Sequence, residues 1–160
     1  MKYALDTNIY IDAFRDVAAE AALLQFLDRA LPLTFLSAVV MQELAAGART
    51  LAQRRELERS VFGPFVRRGR VFTPSANAFV ESGRFVASVA AREGWSAVRQ
   101  NPSLLNDALL ATSCREQGIV LITSQRLRSI CLARKRLAAN APLACPVVNR
   151  TGARSNVLYT

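Results

Sequence analysis

Lys2-Tyr3-Ala4-Leu5-Asp6-Thr7-Asn8 is the stretch on which the reading of the chain turns. Four residues with the pattern of a short strand run into a carboxylate and two small polar residues, and a helix containing Ile11 and Phe14 follows. Asp6 is therefore expected at the carboxyl end of a strand. A charge there is costly to bury unless it is paired or bound to a metal, so the surroundings of Asp6 decide what it does. Capping the helix that follows is the plainer alternative.

Further along, Leu33-Thr34-Phe35-Leu36 reads as a second strand of the buried, parallel-sheet kind. Ser37 then caps a helix carrying Val39, Val40, Glu43 and Leu44. Residues 51–66 are helical and amphipathic, with Arg54, Arg55, Glu56, Glu58 and Arg59 on the solvated side, and Gly63-Pro64 interrupts them. Arg70-Val71-Phe72-Thr73 is a third strand, and Pro74-Ser75 opens a long helix that stops near Gly94. Pro102-Ser103 begins another helix, whose packing face is expected at Leu105, Ala108, Leu109 and Ala111, with Gly118 ending it. Ile119-Val120-Leu121-Ile122 is the strongest buried-strand signal in the sequence. A basic helix over residues 125–135 and an edge strand at Pro146-Val147-Val148 complete the pattern.

Strands alternating with helices imply a three-layer α/β/α sandwich with a mostly parallel central sheet. Residues 1–150 are read as one domain, and 151–160 as a loosely held tail. In such sheets ligands bind beyond the carboxyl ends of the strands. Chemistry is therefore expected at Asp6, at Ser37 to Glu43, and at Thr123 to Gln125.

Composition narrows the chemistry. The chain has 160 residues and no histidine, which excludes Ser-His-Asp and Cys-His catalysis, histidine-based RNA cleavage and H-E-x-x-H zinc hydrolysis. A hydrolase built from it must work mainly with carboxylates. The formal charge is +9, which favours a polyanionic partner through counterion release. All 12 acidic residues lie at or before Glu116, whereas seven of the 21 basic residues follow it. The last quarter thus has the charge to face phosphates, and it offers no carboxylate side chain.

Hydrophobic content of 51% includes 26 alanines, which favour helix over strand. The apolar run over residues 31–41 is too short to span a bilayer. No signal-peptide pattern opens the sequence, so a cytoplasmic protein is expected. Cys114, Cys131 and Cys145 are odd in number and widely spaced, and suggest neither a disulfide framework nor a zinc site.

Two other carboxylates resemble Asp6 in their setting. Glu43 lies between Ala38-Val39-Val40-Met41 and Leu44-Ala45-Ala46, and Asp107 between Leu104-Leu105-Asn106 and Ala108-Leu109-Leu110-Ala111. Solvated helix positions would also explain them, and for Asp107 an early-turn place favoured by the helix dipole. Three such acids at one sheet edge can instead share a hard divalent cation, Mg²⁺ or Mn²⁺, which relieves their repulsion. The cation activates water for phosphodiester cleavage, the task that histidine cannot perform here. Thr7, Asn8, Ser37 and Thr123 would support the acids, and turn or capping roles suit them almost as well. Asp12, six residues beyond Asp6, is read as outward-facing or capping.

Taken together, Leu5-Asp6-Thr7-Asn8 with Ile11-Asp12, Ser37 with Glu43-Leu44-Ala45-Ala46-Gly47, Asn106-Asp107-Ala108-Leu109-Leu110-Ala111 and Val120-Leu121-Ile122-Thr123 resemble the successive motifs of PIN domains of the VapC family. The match runs over roughly residues 2 to 130. It implies an endoribonuclease with Asp6, Glu43 and Asp107 as metal ligands, acting as a toxin on tRNA or rRNA. It further implies restraint by a VapB-type antitoxin, and a homodimer.

The family commonly has a fourth acid just after the threonine of the last strand. Here the chain reads Thr123-Ser124-Gln125-Arg126, so Ser124 or Gln125 could contribute only a neutral oxygen or a bound water, and a single-ion site is expected. That departure motivates the alternative of a catalytically weakened PIN scaffold that binds RNA or protein. Arg126, Arg128, Arg134 and Lys135 are candidates to hold RNA phosphates, or else form a solvated helix face. Phe79, Phe85 and Trp95 read as core or subunit contacts rather than base-stacking platforms. An aspartyl-phosphate enzyme is disfavoured, because Asp6-Thr7-Asn8 lacks the second acid of a D-x-D pair.

Overall fold

Four parallel strands, β1 (Lys2–Leu5), β2 (Thr34–Ser37), β3 (Val71–Phe72) and β4 (Ile119–Ile122), form one sheet in the order β3-β2-β1-β4 in a computed structural model, which describes residues 1–123. The expected basic helix, the expected edge strand and the tail lie outside the described residues. Continuous burial is what a parallel sheet covered on both faces requires. Ala4 and Leu5 in β1, and Ile119, Val120 and Leu121 in β4, are all buried. Helices flank the sheet in the expected three-layer α/β/α arrangement.

Strand order matters for the site. The chain steps from β1 outward to β2 and β3, then returns to place β4 on the other side of β1. Such a reversal leaves a crevice at the carboxyl ends of the two strands on either side of it. Leu5 pairs with Ile122, and the Asp6 N–H donates to the Ile122 carbonyl at 2.9 Å. Pairing thus continues one step past the strands and sets Asp6 beside Thr123.

The helices in chain order are α1 (Thr7–Arg15), α2 (Val17–Ala30), α3 (Ala38–Gly47), α4 (Leu51–Leu57), α5 (Gly63–Val66), α6 (Ala76–Glu93), α7 (Trp95–Gln100) and α8 (Leu104–Glu116). The caps follow the sequence signals. Ser37 Oγ accepts from the Val39 N–H at 3.2 Å to open α3, and Ser75 Oγ accepts from the Ala78 N–H at 3.0 Å to open α6. Gly118 has φ of +64°, a left-handed turn suited to glycine that ends α8 and feeds β4.

Several boundaries differ from expectation. Leu33 lies in a 3₁₀ turn over Leu31–Leu33 that contains Pro32, and β2 begins one residue later. Gly63-Pro64 does not break the helix of residues 51–66: a π turn over Glu58–Phe62 joins α4 to α5. That wider turn accommodates Pro64, which lacks an N–H and would crowd the carbonyl four residues back in a regular helix. A Cβ on Gly63 would stand 2.7 Å from the Glu58 carbonyl oxygen, so the turn also needs glycine there.

The packing face of α8 is rotated from the expected one. Leu104, Ala108, Leu109 and Leu110 are buried, whereas Leu105 is 51% exposed. Phe79 and Trp95, at 57% and 60% exposure, are not core residues either. The main core joins β1, β2 and β4 to Tyr10, Val40, Phe62, Phe65 and Cys114. Among the described residues, no helix is long and apolar enough to cross a membrane.

Candidate active site

Asp6 occupies the cap position of α1 but makes no side-chain capping bond. Its Oδ2 instead accepts from Thr123 Oγ1 at 2.9 Å and from Asn8 Nδ2 at 3.4 Å. The backbone N–H of Thr7 at the start of α1 also stabilises the ionised Asp6 carboxylate and, with Thr123 and Asn8, lowers its pKa against the effect of burial. Burial pushes its pKa up, repulsion from Glu43 adds to the rise, and the bonds from Thr123 and Asn8 oppose it.

Glu43 reaches the same crevice from α3. Thr7 Oγ1 donates to its Oε2, and Asn106 Nδ2 donates to its Oε1 at 2.9 Å. Both carboxylate oxygens are therefore held, one from each flanking element, and Glu43 is half-buried rather than a solvated helix residue.

Asp107 arrives on the first turn of α8 and accepts from Ser103 Oγ at 3.0 Å. Its pKa is pushed up to about 6, chiefly by burial and further by the charges of Asp6 and Glu43, against the Ser103 bond. The helix dipole favours an ionised acid at this end. Burial and crowding outweigh it.

The three acids, with Thr7, Asn8, Gln42, Ser103 and Asn106, line one cleft of about 420 Å³. Among the described residues none of the three pairs with lysine or arginine. Three carboxylates with hydroxyl and amide oxygens nearby, and no cationic partner among the described residues, offer the oxygen donors that suit a hard divalent cation. As the side chains stand, no three acids among the described residues form a finished ligand set, and three hydroxyls and two amides hold them individually. The donor chemistry fits the ion.

Of the supporting residues expected from sequence, Thr7, Asn8 and Thr123 touch the acids. Ser37 is fully buried and bonds to the α3 backbone, outside the cleft lining. Ser124, Gln125, Arg126, Arg128, Arg134 and Lys135 lie outside the described residues. Asn106 and Ser103 were not anticipated as partners of the acids. For Ser103 a signal existed, since it stands four residues before Asp107 at one helical turn. The partnership of Asn106 with Glu43 has no local signature.

A family model described as PIN domain matches residues 3–126. The chain belongs to the PIN domain family. No curated protein matches its sequence. Among solved structures this PIN domain is similar to a DNA-bound VapBC from Salmonella typhimurium, at 21% identity and a TM-score of 0.63, covering 94% of this chain and 98% of that one. It is likewise similar to FitAcB from Neisseria gonorrhoeae, at 18% identity and a TM-score of 0.60, covering 94% and 99%. FitAB bound to an IR36 DNA fragment aligns at 17% identity with a TM-score of 0.56, covering 92% and 94%. At these identities the likeness is one of fold.

Proposed function

We propose that this PIN domain is a metal-dependent endoribonuclease, the toxin of a VapBC-type toxin-antitoxin pair, which hydrolyses RNA phosphodiester bonds at the cleft of Asp6, Glu43 and Asp107. One observation carries the reading: three carboxylates from three separate elements converge on one cleft at the reversal of strand order, without a cationic partner among the described residues. PIN domains are in general nucleases. The similarity in fold to VapBC and FitAB supports the toxin role and a VapB-type antitoxin as partner.

Asp6, Glu43 and Asp107 would hold Mg²⁺ or Mn²⁺. Such an ion supplies an activated water and neutralises charge on the phosphate oxygens. The protein contributes orientation. Thr123 and Asn8 fix Asp6, Thr7 and Asn106 fix Glu43, and Ser103 fixes Asp107, as second-layer partners fix ligands in metal sites generally. Ser124 and Gln125 stand where a fourth acid would be, so a single ion is proposed. Arg126, Arg128, Arg134 and Lys135 grip phosphates of the substrate, tRNA or rRNA. The working form is a cytoplasmic homodimer.

The test is cleavage of labelled tRNA and rRNA with Mn²⁺. Wild-type protein is expected to cut, and Asp6→Asn to leave the RNA intact. If both leave it equally intact, the enzyme reading fails. The second reading, a PIN scaffold that binds RNA or protein without cutting, draws on the missing fourth acid and the unfinished ligand set. It predicts retention of RNA by wild type with no products.

A further inference from the structure

Beside the acid cleft opens a second hollow of about 230 Å³, and the two share Gln42 and Asn106. Its walls include Pro74, Phe79, Leu105 and Leu109, and among the described residues no charged side chain lines it. Phe79 comes from the first turn of α6 and Leu105 from the first turn of α8. Both remain more than half exposed although each is large and apolar. Gln42 stands one residue before Glu43 on α3, three residues after the Val39 wall, so it sits at the junction between hollow and cleft.

An aromatic wall, aliphatic sides and neutral amides at one rim match the surface of an unstacked nucleobase, which has apolar faces and a polar edge. Among the described residues they offer no cation of the kind that holds a phosphate. Continuity with the acid cleft gives the base its place. We infer that this hollow receives one base of the RNA strand, adjacent to the phosphate positioned over Asp6, Glu43 and Asp107. Phe79 is the stacking platform and Gln42 contacts the base edge. The inference rests on the ribonuclease reading and adds a base-binding subsite to it.

The experiment uses the full chain with Mn²⁺ and an RNA whose cut site has been mapped. A second RNA carries an abasic residue on one side of the cut, and a third on the other. Wild-type kcat/KM is expected to fall about tenfold for one of the two abasic RNAs, within the range that stacking of one base supports. Phe79→Ala is expected to bring the intact-to-abasic ratio to about 1, and Phe79→Tyr to retain it.

A wild-type enzyme indifferent to both abasic positions overturns the inference. So does a Phe79→Ala protein that keeps the wild-type ratio. Conversion of a dimer to a monomer by Phe79→Ala, with that ratio kept, assigns the ring to a contact between copies instead. Absence of cleavage of any RNA by wild type overturns the ribonuclease reading and this inference together, whereas cleavage with a ratio that ignores Phe79 overturns this inference alone.

Discussion

Asn106 donates its side-chain amide to Oε1 of Glu43 across 2.9 Å, tying the first turn of α8 to the middle of α3. With Thr7 on the other carboxylate oxygen, it fixes the plane of Glu43 in the cleft. Replacement of Asn106 by Leu frees one side of that carboxylate without adding charge. Mn²⁺ affinity, measured by isothermal titration calorimetry, is expected to weaken by 10- to 100-fold, the usual cost of losing a partner behind a metal ligand. An unchanged affinity would reduce Asn106 to a packing residue.

The raised pKa of Asp107 links metal binding to pH. Where the carboxyl has a pKa of about 6, protons compete with a bound cation for it. Mn²⁺ affinity is therefore expected to be full above about pH 7 and to fall as pH drops through 6. Asp107→Asn weakens that dependence along with most of the affinity, leaving the part that comes from the raised pKa of Asp6.

The same shift has a consequence for stability in the absence of metal. A carboxyl with a raised folded pKa favours the folded state below its unfolded value of 3.8, and that contribution is lost as pH rises through about 6. Metal-free Asp107→Asn should therefore be more stable than wild type at pH 7.5, by about 1 kcal/mol after allowance for solvent screening. The gap should close below pH 4. Thermal melts at both pH values check the sign.

How much of this site was legible beforehand depends on the range of the signal. Asp6, Ser37 and Gly118 were readable because a strand end, a helix cap and a helix stop are local patterns. The sheet order, which sets Asp6 beside Thr123, depends on the crossover to β4 and has no local mark. Neither has a bond between Asn106 and Glu43, 63 positions apart. Leu105 lies off the packing face because polar and apolar residues are mixed around α8, with Thr112 and Ser113 buried, so its periodicity does not fix the phase. The π turn has no mark in the sequence, where Gly63-Pro64 is ordinarily a breaker that only the wider turn makes tolerable.

Tyr10 buries its hydroxyl among apolar residues with no hydrogen-bond partner among the described residues, and burial pushes its pKa up. An unsatisfied buried hydroxyl costs free energy that a phenyl ring does not. Tyr10→Phe should raise stability by about 1 kcal/mol, seen as a melting temperature higher by about 3 °C. A lower melting temperature would mean that the hydroxyl has a partner.

Charge at the end of the chain should appear in the salt dependence of RNA binding. Alanine at Arg126, Arg128, Arg134 and Lys135 together is expected to weaken binding at low salt. It should also reduce the slope of log affinity against log salt by about 3, from about 0.7 per contact on a single strand. An unchanged slope would assign those residues to a solvated face and shift attention to the seven arginines between Arg49 and Arg70, which outnumber Glu56 and Glu58 there.

The most direct test of the central claim is anomalous scattering from crystals of the protein soaked in Mn²⁺. The expected result is a peak bounded by Asp6, Glu43 and Asp107, with carboxylate oxygens at roughly 2.1 Å. A saturating soak that leaves this cleft without a peak would contradict the claim that the three acids hold a catalytic cation.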